Sequence, residues 1–161
     1  MGNQISLPSR RIVVTICASS LLLLPVAQVR ATYADIDLSN AASDSQVSTV
    51  QGAAARGYLG TSVSDAGDVN GDGFPDIIVG APKVSPNGRI QTGAVYVLFG
   101  RAGGFANVDL ADFVSSDSTG FIIYGKPEST DVGDNLGTSV SGAGDVNKDG
   151  FADIIVGAPY A

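Results

Sequence analysis

Two short acidic stretches are the residues here whose types and spacing can do chemistry. The first runs Asp68-Val69-Asn70-Gly71-Asp72-Gly73-Phe74-Pro75-Asp76, and the second runs Asp145-Val146-Asn147-Lys148-Asp149-Gly150-Phe151-Ala152-Asp153. Oxygen-bearing side chains fall at positions 1, 3, 5 and 9, while position 7 offers a backbone carbonyl. A loop wraps a calcium ion in this way, since the ion takes about six to eight oxygens at ~2.3–2.6 Å and a glycine at position 6 permits the sharp turn. The expected ligands are Asp68, Asn70, Asp72, Phe74 and Asp76 in one loop. Asp145, Asn147, Asp149, Phe151 and Asp153 are their counterparts in the other.

A helix-loop-helix calcium site also needs a glutamate at position 12. Val79 and Val156 stand there, inside apolar runs, so a strand-loop-strand variant is expected. Its missing oxygens would come from water or from a second conformation of Asp76 and Asp153. Asp, Asn and Gly are also the ordinary residues of tight turns, and a single copy reads as no more than that. Two copies with every liganding position kept, each crowding three acids that repel without a cation, favour calcium. Magnesium, which keeps several waters and few protein carboxylates, suits them less. Lys148, standing where the first loop has Gly71, is at a non-liganding position and is expected to point to solvent.

The loops sit inside a longer repeat. Residues 60–82 return as 137–159 with 20 of 23 positions identical, an offset of 77 residues. That period is too long for a helix pair and fits a four-stranded unit with generous loops. Short β-branched runs predict strands over 61–66, 77–80, 94–99 and 121–124, with a Pro/Gly loop at 82–93 and a long connection at 101–120. Four such strands make one propeller blade. Residues 37–52 look like a diverged copy of 109–125. The domain reading is therefore a signal peptide over 1–31, the end of a diverged blade over 32–56, a complete blade over 57–125 and a truncated second blade over 126–161. The expected class is all-β, an incomplete propeller fragment, because fewer than two full blades cannot close a ring. Further blades of a longer chain, or other copies, would have to complete it.

With 44% hydrophobic and 16% charged residues the chain is globular rather than disordered. Arg10 and Arg11, an apolar run over 12–27, and Val29-Arg30-Ala31 read as an export signal cut after Ala31. Thr15, Ser19, Ser20 and Pro25 interrupt the run and argue against a membrane anchor. Export would leave six basic against 16 acidic side chains, a net charge of −10, which disfavours nucleic acid and suits a collector of cations. Cys17 would depart with the signal, leaving no disulfide to hold the mature chain.

At these residues the chain resembles the FG-GAP repeat family, the blades of the integrin α-subunit propeller. Leu98-Phe99-Gly100, Gly80-Ala81-Pro82 and Gly157-Ala158-Pro159 carry the signatures, and the match covers roughly 35–161 by the period. The resemblance implies a propeller of about seven blades in the complete domain. It also implies calcium in the hairpin loops and a non-enzymatic role in adhesion or ligand recognition, secreted or at the cell surface, with a protein or glycan as ligand. Propellers of this type also accompany phospholipases. The chain has no histidine and no nucleophile elbow, so the usual catalytic arrangements cannot be assembled from it. Asp109 and Asp112 read as a solvated loop rather than a glycosidase pair. A sugar-binding propeller would use Tyr58, Tyr96 or Tyr124 as stacking rings, although strand and core roles suit them better.

Overall fold

The computed structural model describes residues 10–16, 20–26, 48–86, 90–126 and 133–161. The proposed cleavage point after Ala31, most of the diverged 37–52 copy and part of the 82–93 loop lie outside them. The fold is all-β, with no α-helix among the described residues. Among the described residues ten strands succeed one another: β1 (Arg10–Ile16), β2 (Ser20–Val26), β3 (Ser48–Gln51), β4 (Ser62–Gly67), β5 (Asp76–Ala81), β6 (Ala94–Leu98), β7 (Val108–Asp109), β8 (Gly120–Tyr124), β9 (Ser139–Gly144) and β10 (Asp153–Gly157).

The middle of the chain is one antiparallel sheet in the order β4-β5-β6-β8. Ile77 to Ala81 pair in turn with Leu98 to Ala94, and Ala94 to Leu98 pair with Tyr124 to Gly120. The central strands are near-continuous apolar runs because both of their faces are covered, not one. On one face Val79, Ala81, Ala94, Tyr96 and Leu98 pack with Val50, Leu59 and Leu110. On the other, Ile78, Val95 and Val97 pack with Ala66 and Leu136, and with Val140, Ile154 and Val156 of the next hairpin. Alternate residues of one strand thus serve two cores, as the period-two geometry of a strand requires. Burying Ile78, Val79, Val95 and Val97, each 0% exposed, at about 2 kcal/mol per side chain makes this sheet the stable centre of the chain.

The long 101–120 connection is not structureless. It contains β7, which pairs in parallel with β3 through Val50↔Val108 and Gln51↔Asp109. Phe105, Val108 and Phe113 close over the first face, and Phe113 meets Tyr96 edge-on at 6.2 Å. Tyr96 is therefore a core ring, 4% exposed, and not a free stacking platform, whereas Tyr58 and Tyr124 are exposed. Within the expected signal, β1 and β2 form a hairpin, and β2 pairs antiparallel with β3. There β2 takes the place that a third strand occupies beside β8 in the complete sheet. A leader removed on export would take both strands with it and open that edge of β3. No helix of the described residues is long and apolar enough to cross a membrane.

Strands β9 and β10 form a two-stranded sheet that repeats β4 and β5, even to a register shift at the loop end of each hairpin. The hairpins stack face to face across a glycine-lined seam. A Cβ on Gly80 would lie closer than 3.0 Å to the Gly137 carbonyl, and one on Gly142 would do the same against the Asp65 carbonyl. Ser62 Oγ donates to Gly137 O at 2.7 Å across the same seam.

Candidate metal loops

Each acidic loop bridges the two strands of a hairpin, so the ladder behind it fixes its two ends. The entry is bulged: Gly67 and Gly144, at φ 73° and 71°, pair with the last aspartate of their loops. Gly73 and Gly150 hold φ 86° and 94° with open space where a side chain would stand, so glycine is there for its backbone alone. Position 4 is also left-handed. Gly71 has φ 76° and Lys148 has φ 62°, a demand that reading positions as ligands and non-ligands does not reveal. Lys148 is exposed, as expected.

The side-chain oxygens of the expected donors face the loop's own backbone rather than one common point. Asp68 Oδ1 accepts the N–H groups of Gly71 at 2.7 Å and Asp72 at 3.0 Å, and its Oδ2 accepts that of Gly73 at 2.8 Å. Asn70 Oδ1 accepts Asp72 N–H at 3.0 Å, while Asp72 takes Phe74 N–H and the Asn70 amide, each at 2.9 Å. The second loop repeats this frame except for the bond that Gly71 N–H gives in the first. Asp145 accepts from Asp149 and Gly150, Asn147 from Asp149, and Asp149 from Phe151 and from the Asn147 amide. Among the described residues, no three acidic side chains converge as a metal cluster.

Position 9 differs from the rest. Asp76 is 1% exposed. Its Oδ2 accepts Val69 N–H at 2.8 Å, closing the loop on itself, and its Oδ1 accepts Gly100 N–H at 2.7 Å. Gly100 belongs to the Phe-Gly signature, so this carboxylate ties the loop to the far end of β6. Burial pushes the Asp76 carboxyl above its ordinary 3.8; the Gly100 and Val69 amides oppose the shift, and the negative charges of Asp72 and Asp68 add to it. In the second loop Asp153 Oδ2 accepts Val146 N–H at 2.8 Å.

The chemistry of this donor set fits a hard dication. Each loop concentrates three carboxylates and an amide oxygen within nine residues, and Asp72, Asp76, Asp149 and Asp153 each keep lone pairs beyond the bonds described. The loops also touch each other. Ala152 N–H donates to Asp68 O at 2.9 Å, and a Cβ on Gly71 would fall closer than 3.0 Å to the Phe151 ring.

The family model described as FG-GAP repeat matches residues 60–98 and 136–161, which contain both loops. Over 111 residues, 69% of this chain, the sequence is 35% identical to integrin alpha-3 of Mus musculus. It is 38% identical over 93 residues, 58% of the chain, to integrin alpha-7 of Homo sapiens. A phosphatidylinositol-glycan-specific phospholipase D of Bos taurus is 36% identical over 101 residues, 63% of the chain. The matches span 9%, 7% and 11% of those proteins, so the chain corresponds to a small part of each.

Proposed function

We propose, from the premise that this chain carries FG-GAP repeats, that it is part of an exported β-propeller that recognises a protein or glycan outside the cell. Calcium, held structurally in loops 68–76 and 145–153, would stiffen it. The observation that carries this reading is the frame shared by the two loops: three acids crowded into nine residues, with the buried Asp76 carboxyl raised further by Asp68 and Asp72. In such a loop a bound dication supplies charge neutralisation, and Asp68, Asn70, Asp72, Asp76 and the Phe74 carbonyl would hold it. The same places in the second loop would hold another.

Recognition also requires more blades. Ile155 is 61% exposed, whereas Ile78, its equivalent in the complete sheet, is 0% exposed. Ile78 is covered by Val95 and Val97 of its own sheet and by Val140, Ile154 and Val156 of the next hairpin, and Ile155 would need both kinds of neighbour. The match to a phospholipase favours a second reading, in which such blades accompany a hydrolase. In either reading these residues bind rather than catalyse.

Calorimetry of the full chain with calcium and with chelator tests the metal. A rise in melting temperature with millimolar calcium is expected, and indifference would reject a structural ion. Asp72→Ala and Asp149→Ala should each remove about one bound ion, and Lys148→Gly should keep both.

A further inference from the structure

The second blade begins by laying residues 134–136 alongside 91–93. Gly93 and Leu136 form a parallel bridge, Asn135 N–H donates to Gln91 O at 3.3 Å, and Leu136 N–H donates to Thr92 O at 3.0 Å. The approach is close enough that a Cβ on Gly93 would lie within 3.0 Å of the Leu136 backbone. This joint lies at the opposite end of β5 from the acidic loop 68–76.

Three oxygens are sealed into the joint without a hydrogen bond: Thr92 Oγ1, Asp134 Oδ1 and Asn135 Oδ1. Their residues are 2%, 3% and 4% exposed. The neighbouring polar groups are used. Asp134 Oδ2 accepts Lys126 N–H at 3.1 Å, Asp134 O accepts Tyr160 N–H, and Asn135 O accepts both the N–H and the hydroxyl of Thr138. The three remaining oxygens cannot satisfy one another. Two are acceptors, and the threonine hydroxyl has a single proton to give. Buried polar atoms in native proteins are seldom left in that state.

We propose that the joint between the blades holds one internal water seated on Thr92, Asp134 and Asn135. A water donates twice, to the carboxylate and to the amide oxygen, and accepts once, from the hydroxyl. That inventory matches the three orphans, and internal waters characteristically make about three bonds. A divalent ion would ask for about six to eight oxygens, and the joint offers three side-chain oxygens. The water bridges Thr92 of the first blade to Asp134 and Asn135 of the second. It joins the repeats independently of the acidic loops, so this contact does not depend on calcium.

Crystals of the full chain grown with calcium and with manganese test the site directly. A peak within hydrogen-bonding distance of all three oxygens, without anomalous signal in either crystal, is expected. An anomalous peak there, or three oxygens bonded within the protein around an empty position, overturns the proposal. In solution, oxygen-17 relaxation dispersion should count one fewer long-lived water in Thr92→Val than in the wild type, and the same number in Thr92→Ser. Equal counts in Thr92→Val and Thr92→Ser would overturn it as well. The loss should be the same with calcium and with chelator.

Discussion

Gly80 and Gly157 occupy the same place in the same Gly-Ala-Pro signature, yet alanine should affect them very differently. A Cβ on Gly80 runs into the backbone of Gly137, its carbonyl oxygen and carbon both closer than 3.0 Å, as well as Ser62 Oγ. Neither side can yield cheaply. Gly137 N–H is held by Gly157 O at 3.0 Å, and Gly137 O by the Ser62 hydroxyl at 2.7 Å. Forcing a methyl against fixed backbone costs about 1–3 kcal/mol, and losing the Ser62 bond adds about 1 kcal/mol. The total is about 3 kcal/mol, or on the order of 10 °C in melting temperature for a chain of this size. At Gly157 the close neighbour is Ser139 Oγ, a rotatable hydroxyl, and the next atoms are 3.5 Å away or more. Gly157→Ala should therefore cost less than about 1 kcal/mol. The entropy lost by the unfolded chain is the same in both variants and cancels in their difference. Urea and thermal unfolding of the two variants beside the wild type give the comparison. Equal losses, or a tolerated Gly80→Ala, would refute the seam as the reason for glycine in this signature.

Two further outcomes follow from Asp76, both measured in chelator so that ion loss does not contribute. Asp76→Ala leaves the Gly100 and Val69 amides without their acceptor and should cost about 3 kcal/mol in urea unfolding. Asp153→Ala, where Val146 N–H is the donor, should cost about 1 kcal/mol; matching losses would contradict the tie to Gly100. Because the Asp76 carboxyl is raised in the folded chain, that state keeps its proton at pH values where the unfolded chain has lost it. From this group, stability should fall as pH climbs from about 3.8 through the raised folded value, then level off. Asp76→Asn should abolish that slope, and parallel pH profiles for variant and wild type would contradict the shift.

Much of this molecule is legible in local pattern. The apolar runs at 77–80 and 94–99 and the aspartate spacing depend on neighbours within a few residues, and the period of 77 shows as two near-identical strings. What escapes depends on distant contact. Asp76 reads as one more ligand, and nothing near it in sequence announces that Gly100 is bonded to it from 24 positions away. The parallel pairing of β3 with β7 joins Val50 to Val108 across a connection that looks like plain loop. Position 4 of the acidic loops reads as a tolerant place because Gly71 and Lys148 differ, although both backbones are left-handed.

The resting of Phe151 on Gly71 gives the array a direction. The ring lies where any β-carbon on residue 71 would have to be, so the first hairpin is cut to receive an aromatic successor. Lys148 stands at the matching spot of the second hairpin, exposed and carrying the β-carbon that Gly71 lacks. A third hairpin bearing phenylalanine at its own seventh position could not settle there in the same manner. Near-identical tiles thus differ at the join, because only the first offers bare backbone to the ring that follows it.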